Sequence, residues 1–242
     1  MTPTAPSIHI NGSCSIDGLP LFGPLEMTLN AGQWTCVLGR SGVGKSTLLR
    51  LTAGLECGGV FQGTIAASDH HPVNNRVSFM AQMDLLLPWL TVIENTVLGA
   101  RLRGKQPDFL RAKNLLERVG LADHLKRKPR ELSGGMRQRN ALARTLMEDR
   151  PIVLLDEPFS ALDASSRAEM QELAAEVLVG KTVLLVTHDP TEAVRLGHQI
   201  IVLGRTSVQK WPVPANPPVR DSFAPDTVTC QSDLLSVLRG LM

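Results

Sequence analysis

The run Gly39, Arg40, Ser41, Gly42, Val43, Gly44, Lys45, Ser46, Thr47 constrains this chain more than any other stretch of it. It fits Gly-x-x-x-x-Gly-Lys followed by Ser, the pattern of a loop that wraps phosphate. Glycines let the backbone curl so that successive N–H groups face an anion. Such a loop works between a strand and a helix, whose N-terminal end adds positive potential. Both flanks are present: residues 35–38 read as a short apolar strand and residues 46–53 as an apolar-periodic helix. Lys45 is placed to reach β- and γ-phosphates as a point charge, and the Ser46 hydroxyl to ligate Mg2+. The loop predicts an α/β sheet that binds a nucleoside triphosphate, without saying what the triphosphate drives.

The next constraint is an acidic strand end. Residues 152–155 are apolar and lead into Asp156 and Glu157. In an open α/β sheet, ligands bind beyond the C-terminal ends of the strands. Asp156 is expected there as a Mg2+ ligand, acting through water. Successive strand residues point to opposite sides. Glu157 is therefore free to polarise a water for in-line attack on a γ-phosphate.

The apolar runs 152–155 and 182–186 are short and rich in Val, Ile and Leu. They predict strands buried on both faces of a parallel sheet. Residues 8–38 are strand-like, with turns expected at Asn11-Gly12, Asp17-Gly18 and Ala31-Gly32. Residues 77–80 read as a further strand. Helical text takes over at Asp84, where Phe109, Ala112, Leu116 and Val119 fall on one predicted face. Strand and helix alternate again from Pro151 to about Leu203. The parse is a nucleotide-binding core in two parts, 1–83 and 148–208, around a helical segment 84–147. A proline-dense tail, 209–242, ends in a short helix over 233–241.

Composition removes several function classes. The net charge of +2 supplies no global field for nucleic acid, so no nucleic-acid partner is expected. No apolar stretch approaches the length of a membrane span, and the N-terminus does not read as a signal peptide. Cys14, Cys36, Cys57 and Cys230 lack zinc or redox spacing, and Cys36 reads as a buried small side chain.

The octapeptide Leu132, Ser133, Gly134, Gly135, Met136, Arg137, Gln138, Arg139 resembles the signature motif of ABC ATPases. The resemblance covers about residues 8–203. It implies a P-loop NTPase core with an antiparallel β subdomain and a helical subdomain insertion. By itself Ser133 reads as the N-cap of a helix running to Met147. The family implies more: two cassettes dock head to tail, and ATP on one cradle is capped by Ser133, Gly134 and Gly135 of the other. Three more positions match the family. Gln82 fits the Q-loop glutamine, which touches Mg2+ or the attacking water. Asp163 closes a D-loop at the dimer seam. His188 fits the switch histidine that bonds the γ-phosphate. Asp189, Pro190 and Glu192 read as a helix cap with a first-turn proline. The family's adenine-stacking aromatic has no counterpart at the matching position near Ile16, and Phe22 is the nearest aromatic. Asn140 stands where the family usually has an aliphatic residue.

Residues 85–92, with Pro88 and Trp89, resemble the stretch of importer ATPases for nitrate, sulfonates, taurine and thiamine-precursor pyrimidines. That group implies a transmembrane permease on the helical surface and, indirectly, a periplasmic or extracellular solute-binding protein. It also implies a peripheral position on the cytoplasmic face of the inner membrane. An exporter or lipoprotein-extraction ATPase, or a soluble ABC ATPase, is the alternative. The cluster Lys126, Arg127, Lys128, Pro129, Arg130 reads as a solvated face, and Asp69, His70, His71 as a polar loop.

Overall fold

The computed structural model describes residues 5–204 and 206–240. In chain order the elements are β1 (Ile8–Ile16), β2 (Leu19–Leu29), β3 (Trp34–Leu38), α1 (Lys45–Thr52), β4 (Val60–Ala67), β5 (Val77–Met80), α2 (Val92–Thr96), α3 (Leu98–Leu102) and α4 (Phe109–Arg118). There follow α5 (Gly134–Met147), β6 (Ile152–Asp156), α6 (Ala164–Val177), β7 (Thr182–Val186), α7 (Pro190–Leu196), β8 (Gln199–Leu203), β9 (Val208–Trp211) and α8 (Pro225–Gly240). They form two compact units. One takes the chain up to Val77, Pro151–Asp156, and Val179 onward; the other takes Ser78–Arg150 and Glu157–Leu178.

In the first unit the strands run in the order β6, β7, β3, β8, β9. The first four are parallel, and β9 pairs antiparallel with β8. Every residue of β3, β6 and β7 is buried, which is why these strands are written almost wholly in apolar residues. Cys36 is fully buried, and burial pushes its thiol pKa far up.

A separate three-stranded antiparallel sheet has the order β2, β1, β4. Asp17 and Gly18, with φ of 51° and 78°, make the two-residue hairpin turn between β1 and β2. Asn11-Gly12 makes no turn. Both residues lie inside β1, paired with Glu26 and Leu25. The reason is close approach: a Cβ on Gly12 would sit 2.5 Å from the Gln62 carbonyl oxygen. The dipeptide that signals a turn here lets two backbones meet.

The second unit is mostly helical. Ala112, Leu116 and Val119 are buried as one face of α4 and its C-cap, whereas Phe109 is 40% exposed. Phe109 lies at the first residue of that helix, with the Arg101 guanidinium 5.9 Å from its ring centroid. The expected helical segment 84–147 lies in this unit, which also holds α6 packed against α5. Ser78 Oγ donates to the Thr145 carbonyl at 2.9 Å and ties β5 to α5.

The C-terminal region departs from expectation. The closing helix starts at Pro225 rather than Asp233 and spans 16 residues; residue 241 lies outside the described residues. Pro225 opens the helix because the first turn needs no N–H donor there. Val208–Trp211 is an antiparallel strand, so extended chain begins only at Pro212.

Candidate nucleotide site

Between β3 and α1 the backbone turns through Gly42 and Gly44, with φ of 79° and 101°. A side chain at Gly44 would face strain and a clash together, its Cβ 2.6 Å from Phe22 Cδ1. Val43 is buried and pins the loop, while Arg40, Ser41 and Ser46 are exposed and Gly39 and Thr47 half-buried. The turn brings Lys45 back over its own loop. Its Nζ donates to the carbonyls of Gly39 at 2.8 Å and Arg40 at 3.0 Å. Lys45 is only 8% exposed. A nearly dry ammonium held by neutral carbonyls is a strong site for an anionic acceptor.

Strand register brings two more residues to this edge. Val37 of β3 and Asp156 of β6 both stand level with Val186 of β7. The cradle, Asp156 and the residues after β7 therefore share the C-terminal edge of one sheet. The Thr187 N–H donates to the Val37 carbonyl at 3.2 Å, which seats His188 beside the cradle. His188 lines a cavity of about 360 Å3 with Gly39, Arg40 and Ser41. Leu235 and Leu238 of α8 close its wall. Sequence reading missed this wall; the signal available was the leucine spacing in 234–238 on a longer helix. The donors suit their expected ligands. Cradle N–H groups and Lys45 match phosphate, and the Ser46 hydroxyl and Asp156 carboxylate are the hard oxygens that Mg2+ takes.

Phe22 is 1% exposed and packs behind Gly44. It belongs to the core and does not face a base. Ile16 is half-buried.

The second unit gathers the remaining candidates. Gln82 Nε2 donates to Glu157 Oε2 at 3.2 Å. Glu157 has φ of 47°, a left-handed conformation uncommon outside glycine and typical of functional turns. The turn is held from below. Gln138 Nε2 donates to the carbonyls of Glu157 at 3.3 Å and Pro158 at 3.0 Å, and Ser160 Oγ donates to that of Glu157 at 3.0 Å. Ser133 caps α5, accepting from the Met136 N–H at 3.2 Å, and both Ser133 and Gly134 are exposed, with Gly135 half-buried. Asp163 caps α6 through the Ser166 N–H at 3.0 Å. That bond holds its carboxyl below the usual carboxylate range.

Two arginines, Arg137 of the octapeptide and Arg144, which the sequence did not single out, brace the turn after Gln82. Arg137 Nε bonds Asp84 Oδ2 at 3.0 Å, and Arg144 donates to the carbonyls of Asp84 and Leu85 at 2.7 and 2.8 Å. They stand seven residues apart, on one face of α5. Burial lowers the Arg144 pKa. Asn95, fully buried, clamps the next loop. Its Oδ1 accepts from the Leu87 N–H at 2.8 Å, and its Nδ2 donates to the carbonyls of Leu87, Leu90 and Thr91 at 3.1–3.2 Å. Trp89 on this loop is 65% exposed, and Met83 and Leu85 earlier in the segment are exposed as well. Asn140 is buried and donates to the Val92 carbonyl at 3.1 Å. An aliphatic residue there could not make this tie between α5 and α2.

Asp69 pairs with Arg76 through two carboxylate oxygens, as fits a polar loop. Lys126, Arg127 and Arg130 are exposed. Among the described residues no helix is long and apolar enough to cross a membrane.

The profile of the ABC transporter family matches residues 22–160. An uncharacterized ABC transporter ATP-binding protein of Haemophilus influenzae is 44% identical over 94% of this chain and 96% of its own length. An aliphatic sulfonates import ATP-binding protein of Agrobacterium fabrum is 45% identical over 77% of this chain and 71% of its own. Among solved structures, a dimeric bacterial ABC transporter cassette superposes with a TM-score of 0.73 at 27% identity, covering 88% of this chain and 99% of that one. A dimeric cassette in a post-hydrolysis state, bound to ADP and Pi, gives 0.74 at 28% identity over the same shares.

Proposed function

The chain belongs to the ABC transporter family of ATP-binding proteins, and from that premise we propose that it is the ATP-hydrolysing subunit of an importer for aliphatic sulfonates. The observation that carries the reading is the meeting of cradle, Asp156 and His188 at one sheet edge. The solute class rests on the likeness to sulfonate import ATPases.

The cradle N–H groups and Lys45 bind the phosphates of ATP. Ser46 and Asp156 would hold Mg2+, which would supply charge neutralisation at the phosphate oxygens. Glu157 accepts a proton from the attacking water, and Gln82 orients the Glu157 carboxylate through its amide. His188 donates a hydrogen bond to the γ-phosphate. Positioning and charge neutralisation carry the reaction, with no covalent step on the protein.

Ser133 and Gly134 are exposed at the N-terminus of a 14-residue helix. They serve as the second half of a site completed by another copy of the chain, in a head-to-tail dimer. Asp163 and Gly135 stand at the seam of that dimer. Trp89, Met83 and Leu85 form the apolar surface that receives a cytoplasmic helix of the permease. The protein therefore sits peripherally on the cytoplasmic face of the cell membrane and meets a solute-binding protein only through the permease.

The test is purification from membranes with a tagged chain, followed by transport in vesicles. A co-purifying permease, with ATP-dependent uptake of an alkanesulfonate, is the expected result. Uptake of nitrate or a pyrimidine instead would replace the solute. ATP hydrolysis with no associated permease would reject the importer reading.

A further inference from the structure

The phosphate edge has one wall that the reading above leaves unused. Leu235 and Leu238 of α8 line the cavity formed by Gly39, Arg40, Ser41 and His188. The position is chemically odd. A γ-phosphate carries concentrated charge and is stabilised by donors, which leucine cannot supply.

The helix is not loosely placed. Leu234 and Thr227, seven residues apart on one face, are buried to 0% and 1%, and α8 packs on α7. The segment leading to it is fastened by Arg220, itself 4% exposed. The Arg220 guanidinium donates to the carbonyls of Val194 and Gly197 at 2.7 Å and of Pro214 at 3.1 Å. Its backbone N–H donates to the Arg195 carbonyl at 3.0 Å. The base of α8 is thus bolted to α7, which follows directly on His188. Its far half carries Leu235 and Leu238, 39% exposed and half-buried, toward the cradle.

We propose that α8 is an inhibitory cover: its Leu235–Leu238 face walls the cavity at the γ-phosphate end of the cradle, where the Ser133–Gly135 turn of a second copy must arrive. The inference rests on the head-to-tail dimer reading. Two leucines and one capped helix N-terminus compete for the same place. The serine-glycine turn offers N–H donors to the phosphate, and the leucines offer none. Bound ATP therefore shifts the balance toward the second copy, and the leucine face is displaced. Without ATP, the cover keeps the cassettes apart.

Glu157→Gln in the full chain supplies the background, since ATP then stays unhydrolysed. Dimerisation with ATP is followed by sedimentation velocity, with and without Leu235→Ser/Leu238→Ser. The cover predicts dimer at an ATP-dependent protein concentration on the order of tenfold lower in the leucine variant. It also predicts faster hydrogen exchange over residues 232–240 when ATP drives dimerisation of the chain with its leucines intact. Equal or weaker dimerisation of the leucine variant overturns the cover and leaves the dimer standing. Absence of dimer in both overturns the cover and the dimer reading together. Should the leucine variant misfold by circular dichroism, Leu235→Ala/Leu238→Ala in the full chain takes its place with the same outcomes.

Discussion

Gln82 and Glu157, 75 residues apart in the chain, are joined by a hydrogen bond of 3.2 Å from the glutamine amide to the carboxylate. The bond orients the proposed base through one of its oxygens. Glu157→Gln is expected to lower ATP turnover by about 10²–10⁴ with ATP still bound. Gln82→Ala removes only the orienting bond. It should cost about 10–100-fold, the effect of one hydrogen bond to a carboxylate worth about 1.5–3 kcal/mol. Steady-state hydrolysis and nucleotide titration on both variants check the pair, and near-normal turnover of Glu157→Gln would remove it from the mechanism.

In the proposed mechanism Lys45 acts earlier, on binding: its ammonium, now held by the Gly39 and Arg40 carbonyls, turns to phosphate oxygens. Lys45→Ala should weaken ATP binding by about 10–100-fold, a charge-assisted hydrogen bond being worth about 1.5–3 kcal/mol. Calorimetric titration with a non-hydrolysable ATP analogue measures it. Unchanged affinity would mean the cradle grips phosphate through its backbone alone.

Asn95 is expected to matter well away from the phosphates. Its buried amide satisfies the loop that displays Trp89. Asn95→Ala strands a buried N–H and several carbonyls, so stability should fall by about 2–3 kcal/mol. Exchange of amides 85–91 should quicken, and permease association should weaken while ATP affinity holds. Urea unfolding and hydrogen exchange separate the two effects.

The Asp69–Arg76 pair gives a pH signature. The guanidinium holds the Asp69 carboxyl at about 2, against an ordinary 3.8. Because the folded pKa is the lower one, the pair stabilises above pH 4 and its contribution is lost as pH falls toward 2. Urea midpoints of the parent and Asp69→Asn should differ at pH 7 and converge near pH 2. A gap that stayed constant across that window would exclude the linkage.

Much of the site is local text. The cradle from Gly39 to Thr47, the acidic end at Asp156 and the cap at Ser133 are each written within a few adjacent residues. Short-range geometry decides them: a glycine that must take positive φ, a strand end, a hydroxyl three residues before its N–H donor. The apolar runs likewise announced a sheet buried on both faces.

What the tertiary structure alone decided depends on distant partners. Asn11-Gly12 carries the same letters as a turn, and only the neighbouring strand at Gln62 makes it a close crossing. Asn140 gains its meaning from the Val92 carbonyl, and Arg144 from those of Asp84 and Leu85. Leu235 and Leu238 become a wall of the cavity beside the cradle because their helix packs on α7 and Arg220 ties the preceding segment to it. Backbone conformation is set by neighbours in sequence, whereas the use of a buried polar group or an apolar face is set by whichever surface the fold brings against it.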